Sequence, residues 1–220
     1  FSIESNLECC HLYNDEMVQV VAMSCVPQHV LDMTNQIDQL KALLHWFKNE
    51  FFSWCNKPKC TKCGSDKDMV SEGSATPNAE DREFHATRIE NYKCSVCNVF
   101  TRFPRYNHPA KLFETRTGRC GEWANAFTAL VIALGHEARR VLDWTDHVWT
   151  EVYVHEMNRW VHLDSCEAAF DKPLVYEKGW GKQLTYCIGF SSKEIVDVSK
   201  RYVLDKMMNR MRRDKVNEQW

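Results

Sequence analysis

Two Cys-x-x-Cys pairs restrict the folding of this 220-residue chain more than any other feature: Cys60-Thr61-Lys62-Cys63 and Cys94-Ser95-Val96-Cys97, thirty residues apart. Two residues between ligands let both thiolates of a pair face one ion from a single tight turn. Two such turns complete a closed tetrahedral four-sulfur shell, the usual structural zinc site. Cys60, Cys63, Cys94 and Cys97 are therefore predicted to hold one structural Zn ion. The intervening Ser65–Ala86 stretch is polar and reads as a surface loop with little core, a weakness the metal offsets. Eleven cysteines without a secretory signal point to metal and catalysis rather than to disulfides.

One cysteine stands apart. Gly118-Arg119-Cys120-Gly121-Glu122-Trp123 places Cys120 between glycines, directly before Trp123, Phe127, Leu130, Val131 and Leu134, which recur at helical spacing up to Gly135. A thiol at a helix N-terminus lies at the positive end of the aligned peptide dipoles, which favours the nucleophilic thiolate. The flanking glycines permit close approach of substrate and backbone.

Downstream, Asp146–Val154 and Arg159–Cys166 alternate β-branched and aromatic residues, as strands do. With His155–Asn158 as the turn, Val154 lies opposite Arg159, and His147, Trp149, Glu151 and Tyr153 share a face with Trp160, His162, Asp164 and Cys166. The opposite face, with Val148, Val152, Val161 and Leu163, is predicted to be the core side. Asp164 then lies diagonal to His147, about 7–8 Å away at the backbone and within carboxylate–imidazole reach. The set reads as a triad: Cys120 attacks, His147 moves the proton, and Asp164 orients the ring. Cys166, opposite His147, is a rival thiol without a helix N-terminus or flanking glycines.

These residues sit in longer words: GRCGEWANAFT (Gly118–Thr128), DHVWTEVY (Asp146–Tyr153), RWVHLDSCE (Arg159–Glu167), DKPLVYEKGWGKQLTYCIGF (Asp171–Phe190), LLHWFKNEFFSW (Leu43–Trp54) and RFPRYN (Arg102–Asn107). Over about Leu43–Tyr202 the chain resembles the cytoplasmic peptide:N-glycanases, a branch of the transglutaminase-like superfamily. The resemblance implies hydrolysis of the bond joining an N-linked glycan to an asparagine side chain of misfolded glycoproteins. It implies that Trp149 and Glu167 line the cleft for the chitobiose end of the glycan. By analogy with transglutaminase-like enzymes, Trp54 is a second oxyanion donor or a cleft wall. The family acts in the cytoplasm on denatured glycoproteins, alongside ubiquitin–proteasome shuttle factors. A transglutaminase or cysteine protease using the same triad, or an inactive binding module, is the alternative.

The expected fold is α+β: a transglutaminase/papain-like core, with the helix-borne cysteine packed on an antiparallel sheet and an inserted zinc-knuckle subdomain. The corresponding division is an N-terminal segment 1–31, a catalytic core of 32–58 and 98–198, a zinc-binding insertion 59–97, and a C-terminal amphipathic helix 199–220 running from Lys200 to about Gln219. A second helix is expected over Asn35–Trp54, and Thr185–Phe190 with Glu194–Val198 reads as another hairpin. A net charge of −2 argues against nucleic acid or an anionic membrane as partner. No apolar run reaches the roughly eighteen residues that a membrane span requires. A start at Phe1 rather than Met suggests a fragment.

Overall fold

Three helices open the computed structural model, which describes residues 3–216: α1 (Ile3–Leu12), α2 (Glu16–Cys25) and α3 (Gln28–Leu31). The Asp15 carboxylate accepts from Val18 N at 3.0 Å and so caps α2, while Pro27 bars its continuation. Cys9 and Cys10 are buried in the main core among apolar side chains. Helix α4 (Gln36–Trp46) starts at Asn35, whose side chain accepts from Asp38 N. The expected helix to Trp54 is cut short. A π-helical turn over Phe47–Phe51 turns the chain into a two-residue strand, β1 (Ser53–Trp54). Packing drives this change. The wider turn lets Phe47 stack on Phe52 with ring centroids 5.2 Å apart and meet Trp123 and Phe127 edge-on.

The metal-knuckle region holds β2 (Met69–Ala75), α5 (Ala79–Glu83), β3 (Ile89–Cys94) and β4 (Phe100–Pro104), with the strands forming a separate antiparallel sheet in the order β2-β3-β4. The stretch expected to be a loop thus contains a strand and a short helix, although β2 is largely exposed. Strand β4 lies beyond residue 97, the expected end of the insertion, yet its ladder is with β3.

The larger part of the fold follows: α6 (Pro109–Thr115), β5 (Thr117–Gly118), α7 (Cys120–Ala133), β6 (Ala138–Asp143), β7 (His147–Val154), β8 (Arg159–Asp164), β9 (Ala169–Phe170), β10 (Cys187–Phe190) and β11 (Ile195–Asp197). Six of these strands make an antiparallel sheet in the order β11-β10-β6-β7-β8-β9, and β5 pairs in parallel with β1. Every residue of α7 from Glu122 to Val131 is buried, because the helix is covered by the sheet on one side and by α2 and α6 on the other. The β7–β8 register is the expected one, from Val154 opposite Arg159 to Thr150 opposite Leu163.

Both faces of that hairpin are buried, however, where one was expected to be open. Trp149, Glu151 and His162 lie under a second layer formed by Tyr176, Leu184, Tyr202 and Val203. This layer tolerates Glu151 because Arg139 Nε donates to it at 2.6 Å and Tyr202 O–H at 2.6 Å. The expected long C-terminal helix is also shorter. A 3₁₀ turn at Ser199–Arg201 precedes α8 (Lys206–Met211), which the Asp205 carboxylate caps through Met207 and Met208 N–H. Residues 212–216 are turn and irregular chain rather than helix, and the rest of that expectation, towards Gln219, falls outside the described residues. No helix among the described residues is long and apolar enough to cross a membrane.

Candidate active site

Cys120 is the first residue of α7, where the leading backbone N–H groups of a helix have no intrahelical acceptor. Gly118 is required by contact: a Cβ there would lie 2.4 Å from Glu122 Cβ. Gly121 faces open space, leaving room in front of the thiol. The pairing of β5 with β1 brings Trp54 opposite Gly118, two residues before Cys120.

His147 begins β7 and Asp164 ends β8, and His147 Nε2 lies 2.7 Å from Asp164 Oδ2. That bond leaves Nδ1 for exchange with Cys120. Burial alone lowers the basicity of His147. Hydrogen bonds and charge from Asp164 and Cys120 overcome it and raise the imidazole pKa to about 9, so the ring is a cation at neutral pH. Asp164, fully buried, is likewise opposed by burial yet held below the usual carboxylate range by His147, His162 and Tyr176. Its Oδ1 accepts from Cys166 N at 2.8 Å and Glu167 N at 3.3 Å, and its Oδ2 also accepts from Tyr176 O–H at 2.8 Å.

The support extends one layer further. Lys172 N donates to His162 Nδ1 at 3.3 Å, which assigns the ring proton to Nε2, 2.7 Å from Tyr176 Oη. Burial lowers the His162 pKa to about 4, so this ring is neutral, and burial likewise keeps Tyr176 protonated. The chain of donors therefore runs in one direction, from His162 to Tyr176 to Asp164.

A cleft of ≈ 780 Å³ opens on this set, lined by Lys48, Trp54, Cys120, His147, Glu167 and Trp180 among others. Trp54 and Glu167 are exposed at its walls. The Trp54 indole N–H donates to Asn56 Oδ1 at 2.8 Å, and its ring lines one wall of the cleft. Trp149 does not reach the cleft. It is fully buried between Tyr176 and Tyr202, at 4.6 Å from each ring, so the expectation that it contacts the glycan is corrected. The rival Cys166 lines the cleft, but burial, together with the charges of Asp164, Cys120 and Glu167, pushes its thiol well above the usual range and keeps it protonated.

The Sγ atoms of Cys60, Cys63, Cys94 and Cys97 all lie within 4.8 Å of one another, as a four-thiolate metal shell requires. Lys62 N donates to Cys60 Sγ and Cys97 N to Cys94 Sγ, each at 3.4 Å, so each knuckle turns a backbone N–H onto its first sulfur. The donor set fits a metal ion and leaves it no open position.

Family models match this arrangement in two overlapping parts. The transglutaminase-like superfamily matches residues 69–165, and the Rad4 transglutaminase-like domain matches residues 144–220. The chain belongs to the transglutaminase-like superfamily. It is 46% identical to the Mus musculus peptide-N(4)-(N-acetyl-beta-glucosaminyl)asparagine amidase over 99% of its own length and 36% of that protein's. Against the amidases of Saccharomyces cerevisiae and Caenorhabditis elegans the identities are 48% and 45%, over 82% and 98% of this chain and 49% and 37% of theirs. The chain thus spans between about a third and a half of these curated relatives. Among solved structures, Rad4–Rad23 bound to a 6-4 photoproduct UV lesion matches with a TM-score of 0.56 at 14% identity, over 90% of this chain and 46% of that one, a likeness of fold.

The residues that sequence reasoning missed within this transglutaminase-like core are Tyr176, His162 and Trp180. Trp180 stands against the His147 ring with centroids 4.9 Å apart. Its place between Gly179 and Gly181 was a readable hint of an aromatic on a pliable loop. Nothing local marks Tyr176, which reaches Asp164 only because a π-helical turn at Val175–Gly179 folds over the sheet.

Proposed function

We propose that this chain is the catalytic part of a peptide:N-glycanase, an amidase that hydrolyses the bond between an N-linked glycan and an asparagine side chain. The observation that carries the reading is the buried His147–Asp164 pair, 2.7 Å long, facing a helix-borne Cys120 across an open cleft. The identity with named amidases supports that choice of substrate. The Cys120 thiolate attacks the side-chain amide carbon, and the oxyanion is met by the Cys120 backbone N–H at the head of α7. His147 gives its Nδ1 proton to the departing glycosylamine as the C–N bond breaks. It then takes a proton from the water that opens the thioester, so that the aspartic acid product leaves, ionising in solution, and the Cys120 thiolate beside a cationic His147 is restored. Asp164 holds the ring and balances its charge throughout. Trp54, Trp180 and Glu167 are suited to the sugars, aromatic faces by stacking and the carboxylate by accepting hydroxyl hydrogen bonds.

The same reading includes a Zn ion held by Cys60, Cys63, Cys94 and Cys97 in a structural role, supplying a cross-link that the small β2-β3-β4 sheet lacks. It places the work in the cytoplasm, on denatured glycoproteins awaiting degradation, with ubiquitin–proteasome shuttle factors nearby. A denatured glycoprotein incubated with the chain separates the readings. Free glycan with an Asn-to-Asp mass change in the peptide is expected. Incorporation of an added amine, or backbone cleavage without glycan release, would replace the proposal with a transglutaminase or a protease. No reaction at all would leave a binding module.

A further inference from the structure

The four-cysteine subdomain and the nucleophile are joined by a buried ionic hub that takes no direct part in the proposed reaction. In β3, Glu90, Tyr92 and Cys94 alternate onto one face, so the strand that ends in a candidate metal ligand also carries a buried carboxylate. Glu90 receives both ends of the Arg119 guanidinium, Nη1 to Oε1 at 2.9 Å and Nη2 to Oε2 at 2.8 Å. Tyr92 O–H and Arg105 add to its coordination at 2.8 and 3.0 Å, and the exposed Arg88 approaches Oε1 at 3.3 Å. Although burial opposes ionisation, these donors hold the Glu90 pKa at about 2.

Arg119 is also tied to the other approach to the metal knuckles. Its Nε donates to Cys55 O at 3.2 Å and its Nη2 to Asn56 O at 2.8 Å, on the segment that leads into Cys60. Its main chain, meanwhile, is locked into the first turn of α7. Arg119 N donates to Glu122 Oε2 at 2.9 Å, and Arg119 O accepts from Trp123 N at 2.9 Å. Glu122 is itself gripped by Arg105, Nε at 2.6 Å and Nη2 at 2.7 Å. Every atom group of Arg119 is therefore fixed by one of two bodies, and the next residue is Cys120.

We propose that Glu90 and Arg119 form a positioning clamp through which the folded four-cysteine subdomain sets where the Cys120 thiol stands relative to His147. The four-cysteine subdomain thus bears on the reaction through a chain of contacts from β3 to Arg119 to the head of α7. The clamp rests on the proposed role of Cys120 as nucleophile, but its test needs no glycan.

In the zinc-loaded chain, iodoacetamide alkylation of Cys120 at pH 6.5 is followed by mass spectrometry of the Cys120 peptide, beside metal content and the thermal transition. Glu90→Gln removes the charge, and Arg119→Lys keeps a cation but cannot fork. Either variant is expected to retain its zinc and to alkylate Cys120 about ten-fold or more slowly, because a thiol displaced by an ångström loses its partner. Arg102→Gln breaks a pair with Asp81 in the same subdomain without touching Glu90 or Arg119, and is expected to leave the rate unchanged. A wild-type rate in a zinc-retaining Glu90→Gln or Arg119→Lys overturns the clamp, and so does equal slowing in Arg102→Gln. Loss of zinc in both variants overturns it too, since the hub would then merely hold the fold. Should Glu90→Gln fail to fold, Arg119→Lys decides by the same readout. Absence of glycan release in the wild type would sink the proposed function and leave the alkylation result standing.

Discussion

Tyr176→Phe removes one oxygen and leaves the ring in place, so it isolates the relay beneath Asp164. The Phe ring keeps the contacts of Tyr176 with Trp149, at 4.6 Å, and with His147, at 5.1 Å. Two hydrogen bonds disappear. Asp164 Oδ2 loses its 2.8 Å donor while retaining His147, and His162 Nε2–H loses the acceptor 2.7 Å away. A hydrogen bond to a charged group is worth about 1.5–3 kcal/mol, and a stranded buried donor costs about 1–3 kcal/mol. Both losses fall in one network, so they do not add in full, and a destabilisation of about 3 kcal/mol follows. For a domain of this size each kcal/mol moves the thermal midpoint by about 2–4 °C, giving a fall of about 6–12 °C. Differential scanning calorimetry of the zinc-loaded variant measures it. A midpoint within about 2 °C of the wild type would refute the directional relay from His162 through Tyr176 to Asp164.

The two glycines beside Cys120 are expected to respond with opposite sign. Gly118→Ala drives a Cβ to 2.4 Å from Glu122 Cβ and should cost about 1–3 kcal/mol in urea unfolding, whereas Gly121→Ala meets open space within a helix and should gain up to about 1 kcal/mol while raising KM. The pH dependence follows from His147, whose folded pKa of about 9 exceeds its unfolded value of about 6.5. Its contribution is whole below about pH 6.5 and lost as pH rises through about 9, so denaturation midpoints at pH 6 and 9 should differ less in His147→Ala than in the wild type. Trp180→Ala opens the cleft beside His147, and initial rates should show a raised KM with a smaller change in kcat. Chelation should lower the thermal midpoint together with activity. An unmoved midpoint with activity lost would remove the metal from its structural role.

Periodicity and spacing are local, and what they specify here was legible in the chain. The two cysteine pairs set a four-sulfur cluster, Gly118–Gly121 set a thiol at a helix start, and alternation in Asp146–Cys166 set the hairpin that brings His147 to Asp164. Burial is a property of the whole molecule, and there the local signals ended. The alternation that placed Trp149 on the face of His147 could not show that a second layer, built from residues about 25 to 55 positions further on, would cover that face. Nor could the residues around Glu90 show that it would be drawn under Arg119. A charge enters the interior only where distant partners surround it, and those partners are assembled by the fold, not by neighbouring sequence.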